Sequence, residues 1–270
     1  MDFRIMKATF KRNFMIQLRA YPMEFFIGNL LTALYTVLGA YFMYHLLFQG
    51  KMDDSFQGIT GTADYMTYVI LGSGIYLFVV RTHLNVSRSL ITEMRTGTLE
   101  SLMVAPFDRV GYFVGNMLQQ TMTTSVELAI SILFSIPFGI NLSGVNISAL
   151  LLAVVFSLAA YFGMSLILAA VMLYTRDTYI SQNTLFLTIF VLCGITFPVE
   201  YLPRWAQFIA HFIPVTHSLK LIRGSTMMNM GILEQMDSLI SLGLLAVTYS
   251  LIGFTWMKRV EKIALENTLA

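Results

Sequence analysis

Apolar residues run unbroken for about the length of a membrane-crossing helix at six places in the chain. Crossing a hydrocarbon core about 30 Å thick takes about 20 apolar residues in a helix. The segments are Phe25–Phe48, Tyr65–Val80, Val110–Ile136, Ala149–Tyr174, Thr178–Val199 and Ser238–Met257. The second is the shortest. It is predicted to continue through Arg81 and His83 into the aqueous interface, where long side chains can snorkel. All six are apolar on every face rather than alternating, and each is too long for a membrane strand, so helices are predicted and a barrel is not.

The segments between the runs carry their own periodicity. Phe3, Met6, Phe10, Phe14 and Leu18 recur at helical spacing, with Arg4, Lys7 and Lys11 at the edges. That pattern predicts an interfacial helix over residues 1–24, lying on an anionic leaflet and ended by Pro22. No secretory signal peptide is expected, because the first apolar run is too long and no small-residue cleavage site follows it. Residues 80–110 are polar and of mixed charge. Gly97 divides two short helical stretches there, and Pro106 ends the second. Leu99, Leu102 and Met103 alternate with charges on a helical period, which suits either a solvated loop or a face for a partner. Residues 197–237 hold another pair of short helices. Pro203 and Pro214 bracket one, with Trp205, Phe208, Ile209, Phe212 and Ile213 on a face and Gln207 and His211 opposite. The other runs from Pro214 and is predicted to stop at Gly224. Both are too short to span; anchored by Trp205 and Tyr201, they suit a lid or gate at the interface.

Composition narrows the function classes. The 270 residues are 56% hydrophobic and only 12% charged, against about 25% charged in soluble domains. A soluble enzyme, a disordered tail and a nucleic-acid-binding domain are excluded. The length leaves no room for a soluble domain beside six spans, so a single transmembrane domain over 1–270 is predicted, with the interfacial helix at 1–24, the spans at 25–257 and a tail at 258–270. The net charge of +2 matters less than its distribution. Arg4, Lys7, Lys11, Arg12, Arg19, Arg81, Arg88, Arg95, Arg109, Arg176, Lys258, Arg259 and Lys262 fall on one side of the predicted membrane. Lys51, Arg204, Lys220 and Arg223 fall on the other. Both termini are therefore predicted to be cytoplasmic. The single cysteine, Cys193, permits no internal disulfide.

Several chemistries have no support. There is no phosphate loop, since Gly50-Lys51 is followed by Met52 and lacks the upstream glycine. Neither HExxH nor GxSxG occurs. The histidines His45, His83, His211 and His217 are scattered, and no metal set is predicted. Glu127 is the one carboxylate well inside a predicted span. Such a residue is a functional hypothesis by default, as a proton or cation site. The alternative is a glutamate satisfied by Thr121, Thr123, Thr124 or Ser131.

Two stretches carry a family resemblance. ITEMRTGTLESLMVAPFDR, from Ile91 to Arg109, is similar to the E-x-x-x-G-T-L-E-x-L-x-x-x-P pattern of ABC-2 type transporter permeases, with Glu93, Gly97, Thr98, Leu99, Glu100, Leu102 and Pro106 in place. Met94 stands where the family often has a basic residue. FPVEYLPRWAQFIAHFIPVTHSLKLIRG, from Phe197 to Gly224, resembles the family's P-x-x-x-L-P-x-W…P-x-T-x-x-x-x-x-x-R segment through Pro198, Leu202, Pro203, Trp205, Pro214, Thr216 and Arg223. The form is nearest the small drug- and antibiotic-resistance permeases. The resemblance implies an all-α integral membrane fold of six spans, with a coupling helix between spans 2 and 3 and external re-entrant helices between spans 5 and 6. It implies a multi-pass protein of a prokaryotic cell membrane, working as an exporter by alternating access. Two permease chains, identical or homologous, would each recruit a cytoplasmic ABC ATPase, two copies in all. ATP and Mg would sit on that partner, and no cofactor on this chain. Membrane lipid is a further partner and nucleic acid is not. Ile91–Glu100 would be the coupling helix, with Glu93, Arg95, Gly97, Thr98, Leu99 and Glu100 at the ATPase and the N-terminal helix as a second contact. Spans 2 and 5 would line the substrate path, through Tyr68, Tyr76, Phe186 and Phe190. Pro203, Trp205 and Pro214 would belong to the external gate. The rival reading from another class is a stand-alone proton-coupled carrier using Glu127.

Overall fold

The computed structural model describes residues 2–20, 22–47, 49–50, 54–62, 64–104, 108–140, 144–175 and 179–268. No strand occurs among them. The elements are α1 (Phe3–Ala20), α2 (Pro22–Phe42, prolonged by a π-helical turn Met43–Leu47), α3 (Asp54–Thr60), α4 (Tyr65–Arg95) and α5 (Leu99–Val104). After these come α6 (Arg109–Ser135, with a 3₁₀ turn Ile136–Phe138), α7 (Ile147–Thr175), α8 (Ile180–Leu192), α9 (Arg204–His211), α10 (Pro214–Met227) and α11 (Met236–Thr268).

α7 is the central staff. Its small buried residues Ala149, Ala153, Ser157 and Ala160 let neighbouring backbones come close, and α4, α10 and α11 all pack against it. α4 in turn packs on α6, and α6 also carries α1 and α2. One end of this bundle, here called basal, holds the start of α6, the end of α4 and the tail of α11. It is filled by Val86, Leu90, Leu99, Tyr112, Phe113, Leu166 and Val260. The opposite, apical end holds α9 and α10 over Ile75, Val79, Tyr161, Ile189, Cys193, Val215 and Leu219.

Four helices are long and apolar enough to cross a membrane: Tyr65–Arg95, Arg109–Phe138, Ile147–Thr175 and Leu233–Ile263. Shorter apolar helical stretches occupy Leu30–Leu46 and Gln182–Leu192. This fits an all-α integral membrane protein. Several expected boundaries hold closely, those of α6 and α7 best. Others differ for identifiable reasons. The first run opens earlier, at Pro22, because the fixed φ of proline suits the first helical position; Phe48 lies outside the described residues. α4 runs through Arg81 and His83 as expected but does not stop near Val80 or Ile91. It continues without a break to Arg95, so Ile91–Glu100 is not a separate helix. The run predicted over Thr178–Val199 is helical only to Leu192, because Gly194 takes a left-handed φ of +78° and turns the chain; Thr178 lies outside the described residues. Gly224 does not stop α10. It is a close-packing position, where a Cβ would come 2.5 Å from the Gln235 Oε1.

Candidate functional site

The basal site begins where α4 ends. Thr96 caps the helix and Gly97 follows at φ +73°. The Gly97 N–H donates to the Met94 carbonyl (3.2 Å) and the Thr98 N–H to the Glu93 carbonyl (2.9 Å), the paired bonds of a Schellman turn. Gly97 is therefore required by the turn, and Thr98 leads straight into α5. The Glu93 side chain lies inside this corner. Its Oε1 accepts from Arg12 Nη1 on α1 (3.0 Å) and from Tyr112 Oη on α6 (3.2 Å). Its Oε2 accepts from the Thr98 hydroxyl (2.5 Å). One carboxylate thus ties four segments together, and its side chain is only 14% exposed. The Arg12 guanidinium also lies over the Tyr112 ring, 5.7 Å from its centre.

A ladder of polar side chains climbs from this corner along α6. Asn13 donates to Asn116 (2.6 Å), and Gln119 and Thr123 both donate to Gln17 (2.6 and 3.2 Å). Asn85 of α4 donates to Gln119 and Gln120 (3.1 and 2.8 Å). The top rung is an ion pair between Arg81 and Glu127 (3.2 Å). Polar positions spaced three and four apart on α6 fall on one face, which is why α1 and α4 both settle there. α1 therefore turns a polar face inward, through Thr9, Asn13 and Gln17, while Phe3, Met15 and Ile16 stay exposed. Its foot is fixed by Asp108. That carboxylate accepts the Asp2 N–H and caps α6 through the Gly111 N–H (3.1 Å). The Asp2 N–H, followed by the Gly111 N–H, holds the Asp108 carboxyl below its ordinary range. Arg109 next to it pairs with the buried Glu261 of α11 (2.5 Å).

The proposed ATPase-coupling residues therefore separate into two sets. Thr98, Gly97 and Arg95 are exposed at the turn, with Thr92 and Ser101 beside them. Glu93 faces inward and Leu99 is buried in the basal core. Leu99 and Leu102 are thus turned to their own protein, and the described exposed side chains at this edge, Thr92, Arg95, Thr98 and Ser101, are polar. Glu100 sits in the first turn of α5, but its side chain lies outside the described residues, as does Pro106. Met94 packs on the basal core instead of offering a charge.

The apical site is built around Arg223 of α10. Its Nη1 donates to the Gly194 carbonyl (2.7 Å), and its Nη2 to those of Ile195 (2.7 Å) and Tyr68 (3.0 Å). The guanidinium lies 3.4 Å from the centre of the Tyr68 ring. Tyr68 Oη reaches Gly194 as well (3.3 Å). The α8 helix ends here, and the carbonyls of the turn that follows it, Gly194 and Ile195, would be orphaned in an apolar setting without a donor. A cation at a helix C-terminus also suits the helix dipole. Gly72 makes the room, since a Cβ there would lie 2.3 Å from Arg223 Nη2 and 2.2 Å from the Ile195 carbonyl.

Of the expected path residues, Tyr68 is the one tied to this point. Tyr68 is buried beneath Arg223, Phe186 is buried on α8, and Tyr76 meets Phe190 edge to face at 5.4 Å. Pro203 caps α9 and Pro214 opens α10, as the sequence predicts. Trp205, Phe208, Ile209 and Phe212 form the exposed apolar face of α9, with Ala206 and Ala210 beneath. His217 of α10 bonds the His211 carbonyl (2.9 Å). Burial pushes its imidazole below the ordinary range. The bond to His211 works against that shift, while the charges of His211 and Lys220 add to it.

Glu127 is 1% exposed. Its partner is Arg81, not the threonines predicted for it; Ser131 bonds its backbone carbonyl instead (3.0 Å). Among the described residues no group of three or more His, Cys, Asp or Glu is placed to hold a metal. Sequence reasoning missed the roles of Arg12, Tyr112 and Arg81. The run of Asn116, Gln119, Gln120, Thr123 and Thr124 before Glu127 was the available signal that α6 has a polar face seeking partners.

Comparison with protein families gives a match to the ABC-2 type transporter family over residues 6–227. No curated protein matches the chain.

Proposed function

The chain belongs to the ABC-2 type transporter family, and from that premise we propose that it is the permease subunit of an exporter of amphipathic or hydrophobic substrates, driven by a separate ATPase. Membrane domains of this family are permease components rather than ATPases, and they work with an ATPase subunit. In our reading one domain fills 1–270 and crosses a prokaryotic cell membrane six times, with α2 and the segment through α8 completing the four long helices. Both termini and the basal end face the cytoplasm, as the distribution of basic residues favours. Two such chains, identical or homologous, pair with two ATPases carrying ATP and Mg. The drug- and antibiotic-resistance type is the nearest resemblance and the starting point for substrate searches.

The observation that carries this reading is the Glu93 corner. The exposed turn from Thr92 to Ser101 offers a polar docking edge. Behind it, Glu93 joins the turn to α1, α4 and α6, so a push on the turn is passed to three helices. Arg95, Gly97 and Thr98 are the docking positions, and Glu93 and Leu99 set the turn from within. Glu100, in the first turn of α5, is kept as a further coupling position on the family resemblance. Tyr76, Phe186 and Phe190 border the path, with Tyr68 behind them. α9 and α10, with Pro203, Trp205 and Pro214, form the outer gate.

The test is a mild-detergent pull-down of the tagged chain from its own membranes, followed by mass spectrometry. A phosphate-loop ATPase is expected with the native chain and is expected to be lost with Arg95→Glu. Absence of any ATPase, under conditions that keep the permease pair intact, overturns the reading and leaves a stand-alone carrier to be tested through Glu127→Gln.

A further inference from the structure

The Arg223 site holds a full charge in an unusual way. Arg223 is 7% exposed, and among the described residues no carboxylate pairs with it. A buried charge is tolerated only when it is paired or densely hydrogen-bonded. Here three backbone carbonyls and one aromatic face do the whole task, and the Nε has no partner. Those carbonyls belong to two different pieces of chain. Tyr68 is on α4, and Gly194 and Ile195 form the turn that ends α8. The guanidinium is therefore a bridge between elements, and its planar fork is what lets one side chain reach all three oxygens.

We infer that Arg223 is a latch: it pins the end of α8 onto α4 and holds the apical end shut, and the outer gate opens when these carbonyl bonds are released. The inference rests on the reading of α9 and α10 as that gate. The latch's acceptors are backbone dipoles rather than a counter-charge, so release strands no buried carboxylate, and the three freed carbonyls are met by water that only an open apical end admits. The Gly194 turn, at φ +78°, is the hinge on which the segment beyond α8 moves. Arg223 is a positioning residue in this scheme, acting through the turn and touching no substrate.

Cys193 reports on the latch directly. It is the only cysteine in the sequence, adjoins Gly194 and is buried at 1% exposure. The test measures its alkylation by N-ethylmaleimide in the full chain, in membranes. The native thiol is expected to react slowly. Arg223→Lys keeps the charge but loses the fork, and Gly72→Ala drives a methyl into the bridge. Each is expected to raise the rate about tenfold or more, as local opening does. A second reporter, Ser165→Cys in a Cys193→Ala background, sits fully buried on α7 beside His83 and measures general unfolding. Faster reaction at Cys193 with unchanged protection at position 165 supports the latch. Unchanged Cys193 in both variants overturns it, and so does an equal rise at both positions, which makes Arg223 a general structural residue. A membrane-impermeant maleimide added outside separates the two ideas. If released Cys193 reacts with the permeant reagent alone, the latch stands and the outer-gate reading falls.

Discussion

The two ends of the molecule solve opposite charge problems with opposite materials. At the basal end an anion, Glu93, is held by side-chain donors from Arg12, Tyr112 and Thr98. At the apical end a cation, Arg223, is held by the backbone carbonyls of Tyr68, Gly194 and Ile195. The two sites are therefore encoded differently. The basal corner depends on which side chains the sequence places there, and each can be changed separately. The apical bridge depends on backbone position, so it is encoded by the glycines that let the chain come close and turn. The basal corner can also share its load, because Arg12 is half-exposed and water can replace part of what is lost. The apical bridge has no such reserve.

The largest effect is expected at Arg223. Arg223→Met is expected to cost about 3 kcal/mol of stability, since it removes charged hydrogen bonds from carbonyls that water cannot reach; the thermal midpoint of the purified chain in detergent measures it. The top rung of the polar ladder comes next. Arg81→Met leaves the Glu127 carboxylate buried and unpaired; because Arg81 is 38% exposed and its charge is partly hydrated, the expected loss is about 2 kcal/mol. Adding Glu127→Leu should restore most of that loss, and thermal melts of the single and double variants form the cycle that decides it. At the corner, Glu93→Gln is expected to cost about 1–2 kcal/mol, with α1 becoming the first site of limited proteolysis. Arg12→Ala should cost less than about 1 kcal/mol, because the pair is partly hydrated.

Acidification has the smallest effect and separates the ends by pH. His217 is held below its ordinary range in the fold, so the unfolded chain takes up its proton first. Its contribution is complete above about pH 6.5 and declines as pH falls below that value. Melting curves between pH 7.5 and pH 5, roughly the titration range of histidine, should slope downward toward acid, and His217→Gln should flatten them. Asp108 is also held low, but its contribution is complete above about pH 3.9 and is lost only as pH falls through its lower folded value. Asp108→Asn should therefore leave the slope between those two pH values unchanged.

The long helices were legible because membrane burial demands a continuous apolar run, and α6 and α7 follow it to within a few residues. The end of α8 was not, because Gly194 lies inside a run that stays apolar on both sides. Only the backbone conformation shows that the chain turns there. α1 was half legible. Its phenylalanines mark one face, but the face that docks is Thr9, Asn13 and Gln17, whose partners lie on α6 about a hundred positions later. Glu93 and Arg223 both stood out within their motifs. Motif spacing carries no direction, however, and Glu93 points inward, where a docking residue would point out. Glu127 was recognisable as exceptional, yet its partner Arg81 lay just past the uncharged run of the shortest predicted span.

α4 gives the two ends a mechanical ratio. Gly72 and Glu93 stand on the same uninterrupted helix, about 32 Å apart at 1.5 Å per residue. A rod of that length pivoted at its basal end moves its apical end by about 3 Å for a tilt of about 5°. That displacement equals the length of one hydrogen bond. With α10 held on α7, a swing of that size at the Glu93 corner carries the Tyr68 carbonyl out of reach of Arg223.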